Sequence, residues 1–154
     1  MSAEERVKEL GLQFPPAAKP QGVYKPIVIS GNMAYLSGHG PLLSDGTLMT
    51  GRVGSEIDAE MGYQAARQTG LAILATLRSN LGSLDKVKRV VKSLGMVNAA
   101  PSFKDHPKVI NGYSELLRDV FGEDAGVGAR SAIGMGSLPM NMAVEIEAIF
   151  EIEV

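Results

Sequence analysis

From Val144 to the end, the chain alternates. Val144, Ile146, Ala148, Phe150, Ile152 and Val154 fall on one face of an extended segment, and Glu145, Glu147, Glu151 and Glu153 fall on the other, with Ile149 among them. A period of two predicts a β-strand with one buried face. Three further stretches read as strands before it. Val23 to Ile29 and Met33 to Ser37 flank the turn signal Ser30-Gly31-Asn32, and Val87 to Asn98 is rich in β-branched residues. Arg130 to Ser137 is a fifth. Helical spacing appears twice. Met61, Ala65, Ile73, Leu77 and Leu81 recur beside Ala66 and Leu74, and Val109, Tyr113, Leu116, Leu117, Val120 and Phe121 form a second stripe. The first helix is expected to start at Ser55, because Ser55-Glu56-Ile57-Asp58 fits a capping box, and to stop at Gly82. Ser102 or Asp105 can cap the second, with Pro107 in its first turn. A short helix from Ala3 to Leu10 precedes all of these and ends at Gly11.

The punctuation divides the chain at one place. Gln13 to Gly22 holds three prolines and reads as an extended lead-in, so residues 1–21 form an N-terminal helix with a lead-in and residues 22–154 form the domain. Gly38-His39-Gly40-Pro41 ends the second strand, and Leu42 to Val53 is a loop or minor hairpin around Ser44-Asp45-Gly46-Thr47. The order is ββαβαββ after the short helix, which predicts an α+β fold with two helices packed on one face of a mixed sheet. The second face of that sheet would carry the glutamates together with apolar side chains. A partly apolar face of this kind packs on something, and a second copy of the chain is the simplest partner.

Composition narrows the chemistry. At 154 residues the chain makes one domain, and its 45% apolar and 21% charged content is that of a globular protein. Net charge is −2, and the one basic run, Lys86 to Lys92, has charges on both faces of a strand, so a nucleic-acid partner is disfavoured. The absence of cysteine excludes disulfides, a thiolate nucleophile and a cysteine-ligated zinc. His39 and His106 lie far apart without ligand spacing, so no metal is expected. Gly122 to Gly128 lacks the spacing of a phosphate loop, and no cofactor is implied. With no signal-peptide core and no run of membrane-spanning length, the expected compartment is the cytoplasm, away from membranes.

One set of motifs adds a family. Arg130-Ser131, then Leu138-Pro139, then Val144-Glu145-Ile146-Glu147-Ala148 resemble the C-terminal signature of the RidA/YjgF family, the reactive-intermediate deaminases also labelled endoribonuclease L-PSP. Tyr24, Gly31-Asn32-Met33, Ser37-Gly38, Val97-Asn98 and the helix from Val109 to Phe121 fit the same family, so the resemblance runs from about Gly22 to the end. The extra N-terminal helix marks a longer branch. The resemblance implies a chorismate-mutase-like fold and a homotrimer with the open sheet faces at its centre. It also implies clefts between subunits, where imines or enamines of amino acids are hydrolysed to 2-oxo acids and ammonia without a cofactor.

The chemistry assigns candidate roles. A 2-imino acid carries a carboxylate, which a planar guanidinium binds with two parallel bonds, so Arg130 is the candidate substrate anchor. The structural alternative is an ion pair with an acid at a sheet edge. Hydrolysis needs a placed water and a group to handle its protons, for which the motif nominates Glu145; Glu147, Glu151 and Glu153 read as interface ion-pair residues. Tyr24 is a candidate donor to the substrate or a half-buried strand tyrosine. Ser37 is a ligand of substrate or water or a turn cap, and His39 lines the cleft or faces solvent from a loop. Ala132 stands where many active relatives have cysteine, which suits a contribution through the backbone. Ile110, with Asn111 alongside, stands where many have asparagine. If the last two strands form a simple hairpin, Arg130 and Glu145 are ~13 Å apart, too far for one small substrate. Either the register is different or a neighbouring chain supplies one of the pair. A non-catalytic trimer that binds small carboxylate metabolites is the alternative function. An endoribonuclease is disfavoured by charge and by an aromatic content of 5%.

Overall fold

The computed structural model describes residues 1–154. It contains helices α1 (Ala3–Glu9), α2 (Ala59–Leu81) and α3 (His106–Phe121), and strands β1 (Ile27–Ser30), β2 (Met33–His39), β3 (Val87–Asn98), β4 (Ala129–Met135) and β5 (Val144–Ile152). The strands form one sheet in the order β1-β2-β5-β3-β4, antiparallel except for the β3–β4 pair. This is the α+β arrangement the element order predicts.

The alternation in β5 explains its central place. Val144, Ile146, Ala148, Phe150 and Ile152 are all buried under α2 and α3, and the core they share includes Ile73, Leu77, Tyr113 and Leu116. The two helices meet backbone to backbone. A Cβ added at Gly112 would sit 2.1 Å from the Tyr63 carbonyl oxygen, so only glycine permits this approach. The helix α1 adds Ala3 and Val7 to the core, and Arg78 ties it down by bonding Glu4 at 2.7 Å while lying 4.3 Å over the Phe14 ring. No helix is long and apolar enough to cross a membrane.

The expected hairpin of the last two strands is overturned. The strand β4 pairs in parallel with β3 as the second half of a β3–α3–β4 unit, and β5 inserts between β2 and β3. Leu138 to Met142 is a crossing loop rather than a tight hairpin, with Met140 and Asn141 both at positive φ (55° and 57°). Two element starts also differ from expectation. The strand β1 begins at Ile27 rather than Val23, just after Pro26, which has no N–H to give to a ladder. The helix α2 begins at Ala59 rather than Ser55. Asp58 is its cap, accepting from the Met61 N–H, while Glu56 is taken by the Arg52 N–H and by Asn141.

The other face of the sheet carries no helix. Val28, Tyr35, Leu94, Met96, Ile133 and Ile149 share it with Glu145, Glu147 and Glu151. Val28 and Tyr35, partners across β1 and β2, are 49% and 45% exposed, and Ile133 on β4 is 42% exposed.

Candidate functional site

Arg130 is the second residue of β4, an edge strand, and lies level with Ser93 of β3. Ser93 turns toward the helices and bonds the Tyr113 hydroxyl, so Arg130 also belongs to the helix face. Its Nη1 donates to Asn111 Oδ1 (2.8 Å) and Ser114 Oγ (3.1 Å) of α3. No carboxylate lies within ion-pair distance of it. The two neutral acceptors use the Nη1 protons and leave the Nε–Nη2 edge, a two-pronged donor, without a protein partner. Asn111 and Ser114 are three residues apart on one face of α3, a spacing the sequence shows but that an apolar-stripe reading passes over.

These three side chains form one end of a half-open cavity of about 310 Å³ between α3 and the start of β4, continued by Val90, Leu117 and Val127. Ala132 follows Arg130 on the same face, half-buried and level with Gly95.

Glu145 lies on the opposite face, level with Met96. Burial raises its carboxyl above the usual range, and the charge of Glu147 raises it further. Gly38 makes room for it, since a Cβ there would sit 2.3 Å from Glu145 Oε2. Within one chain Arg130 and Glu145 are therefore on different faces. They lie two strands and three residues apart, roughly 14 Å by strand spacing and rise.

His39 is neither a cleft residue nor a solvent-facing loop residue. It is 3% exposed, with Nδ1 bonded to the Ser37 carbonyl (2.6 Å) and Nε2 to Thr76 Oγ1 (2.8 Å) on α2. The cause is a bulge. The pairing of β2 with β5 slips between Leu36 and His39, so the extra residue turns His39 inward and Gly38 toward Glu145. Ser37 Oγ donates to the Lys25 carbonyl at 2.6 Å, stapling the lead-in to β2. Tyr24 lies before β1 rather than in it. It is 46% exposed, and its hydroxyl accepts from the Gln21 N–H.

Desolvation depresses the affinity of His39 for protons. The unfolded chain binds a proton near the ordinary value of 6.5 and the folded chain only at lower pH, so stability is expected to fall as pH drops below 6.5. Thermal melts at pH 7.5 and 5.5 should show this loss, and His39→Gln should lessen it. Equal pH sensitivity in both proteins would rule out His39 as the cause.

Fold and site together define an α+β protein with an unpaired guanidinium on one sheet face and a half-buried carboxylate on the other. The family model described as "YjgF/chorismate_mutase-like, putative endoribonuclease" matches residues 4–151, and the chain belongs to this RidA/YjgF family. It is 40% identical over 146 residues to Protein TCP17 of Trypanosoma cruzi, covering 95% of this chain and 91% of that one. It is 29% identical over 143 residues to a 2-iminobutanoate/2-iminopropanoate deaminase of Dermatophagoides farinae, covering 92% and 95%. The crystal structure of Atu1372 from Agrobacterium tumefaciens superposes with a TM-score of 0.89 at 42% identity, covering 98% of this chain and 94% of that one.

Proposed function

We propose that the protein is a cytoplasmic homotrimer that hydrolyses small 2-imino acids, and their enamine tautomers, to 2-oxo acids and ammonia in the clefts between copies. The observation that carries this reading is the guanidinium of Arg130, held by two neutral side chains with its Nε–Nη2 edge unpaired beside a cavity. A substrate carboxylate fits that edge with two charge-assisted bonds. The similarity to an iminobutanoate deaminase supports the choice of substrate.

Glu145 of a second copy supplies the proton chemistry that a single chain cannot bring to Arg130. As the water oxygen adds to C2 of the protonated imine, the carboxylate takes the water proton and the C=N electron pair moves to nitrogen. The product of this step is a 2-amino-2-hydroxy acid. Glu145 then returns the proton to nitrogen, the C–N bond breaks toward nitrogen as ammonia departs, and Glu145 takes the hydroxyl proton as the carbonyl forms and passes it to the ammonia. The sum is iminium carboxylate plus water giving 2-oxo carboxylate plus ammonium. Tyr24 and Ser37 border the cleft from the Glu145 side, and the Ala132 backbone borders it from the Arg130 side.

The test is consumption of imines generated in situ by an amino-acid oxidase, with semicarbazide trapping the remainder. Glu145→Gln is expected to lose turnover while retaining binding of product acids. The base must be ionised, so kcat/KM should fall as pH drops through the pKa of Glu145, a limb lying above the ordinary 4.5. Glu147→Gln removes the second cause of the shift and should move that limb to lower pH. A limb that stays in place sinks the assignment of Glu145 as base. A wild type that binds product acids yet consumes no imine would favour a non-catalytic carboxylate binder.

A further inference from the structure

Resting on the imine-hydrolysis reading, we propose that the groove between α3 and the start of β4 holds a second anionic group of the substrate, with Arg118 as its partner, making 2-imino dicarboxylic acids the preferred class. Two guanidiniums line the groove. Arg130 stands with Asn111 and Ser114, and Arg118 follows Ser114 by one turn of α3, roughly 6 Å along the axis. A five-carbon diacid places its carboxyl carbons roughly 5 Å apart when extended, from four C–C bonds of about 1.5 Å each. With one carboxylate on Arg130, the other comes within reach of Arg118.

Arg118 has donors to spare. Its Nε approaches Asp119 Oδ1 and Glu123 Oε1 only at 4.0 and 3.8 Å, beyond hydrogen-bond length, and Nη1 and Nη2 have no protein partner. Both acids are exposed, so water screens their charge. The one carboxylate in the lining, Glu115, accepts from the Tyr63 hydroxyl of α2. Two guanidiniums against this one engaged carboxylate leave the lining net positive. Ser93 and Tyr113 already bond each other, and Asn111 and Ser114 bond Arg130. Val90 and Leu117 are 3% and 1% exposed, so they offer a ligand almost no surface. What stays unsatisfied is two cationic forks, and a ligand with two carboxylates answers both. The root of Arg118 is fixed as well. A Cβ at Gly126 would lie 2.8 Å from Arg118 Cα and 2.5 Å from the Leu117 carbonyl oxygen, so the loop before β4 rests directly on the end of the helix.

The experiment measures by calorimetry the binding of 2-oxoglutarate and 2-oxopentanoate to wild type, Arg118→Gln and Arg118→Lys. The two acids have equal chain length and differ in the distal carboxylate. 2-Oxoglutarate should bind wild type about tenfold more tightly, the low end for a hydrogen bond to a charged group because Arg118 is partly exposed. Arg118→Gln should abolish the preference, and Arg118→Lys should keep part of it by charge alone. An arginine in the last turn of α3 also favours the helix dipole. A residue serving only that purpose would lower the melting temperature on substitution and leave the preference unchanged. That result overturns the second-anion assignment, as does a wild type that binds both acids equally. Imines made in situ from D-glutamate and D-norvaline then separate this assignment from the deaminase reading. A wild type that consumes the norvaline-derived imine at least as well as the glutamate-derived one overturns the preference and leaves the deaminase reading standing. One that consumes neither imine yet shows an Arg118-dependent preference for 2-oxoglutarate upholds the second anion site while the deaminase reading falls.

Discussion

Arg130→Ala is expected to cut kcat/KM for 2-imino acids by roughly a thousandfold, and Arg130→Lys by roughly ten- to a hundredfold. A hydrogen bond to a charged group contributes about 1.5–3 kcal/mol, and alanine removes two such bonds together with the charge. Lysine keeps a charge but cannot present two parallel donors, nor satisfy Asn111 and Ser114 while doing so. The contact exists in substrate and transition state alike, so most of the loss should appear in KM. The fold should tolerate either change, because Arg130 is half-buried on an edge strand and the groups it releases face an open groove. A sharper comparison lies at its neighbour. Asn111→Asp would place a carboxylate against Nη1 and compete with the substrate, so it should raise KM more than Asn111→Ala does. If Arg130→Ala leaves kcat/KM within threefold of wild type, the anchor is elsewhere.

What the sequence reveals about this fold follows from how local each signal is. The strand β5 is legible because its alternation is a property of the segment itself, and burial follows it residue by residue. The strand β3 matches its expected span, marked by Val87, Val90, Val91 and Val97. Which strands neighbour one another is a property of the whole chain, so the nearness of Arg130 to Val144 in sequence misleads. The α3 crossover commits β4 to a parallel place beside β3 and leaves the centre of the sheet to β5. Caps are ambiguous for a related reason. The segment Ser55 to Asp58 contains two acceptors able to cap a helix, and the choice falls on Asp58 because Arg52 and Asn141 draw Glu56 away. Parity along β2 fails at one bulge, enough to carry His39 into the core rather than to the cleft or the solvent.

The site residues divide in the same way. Arg130 and Glu145 stand out because the pieces of their motif all fall within one short stretch of the chain. Asn111 and Ser114, which fix the guanidinium, become visible only when α3 is laid across β4. Gly38 reads as a turn residue until the carboxylate it accommodates is in view.

Mixing two inactive variants should restore activity, and this is the result that bears most directly on how the site is built. Arg130 and Glu145 face opposite sides of one sheet, roughly 14 Å apart, so no single small substrate meets both in one chain. In a ring of identical copies each contact is head to tail, and one copy can present its helix-side edge to the open face of the next. Arg130→Ala and Glu145→Gln then damage opposite halves of every cleft. Random assembly of equal amounts would set an intact Arg130 against an intact Glu145 at roughly one cleft in four, so activity should return to about a quarter of wild type after denaturation and refolding together. The double variant mixed with wild type gives the reference for dilution alone. Failure of the mixture to exceed either variant, with mixed oligomers demonstrated by mass, would mean that each chain works with its own residues and that Glu145 is not the base opposite Arg130. Recovery would place the reaction at the junction of two copies and give the uncovered apolar face, with Val28, Tyr35 and Ile133 in it, its reason to be apolar.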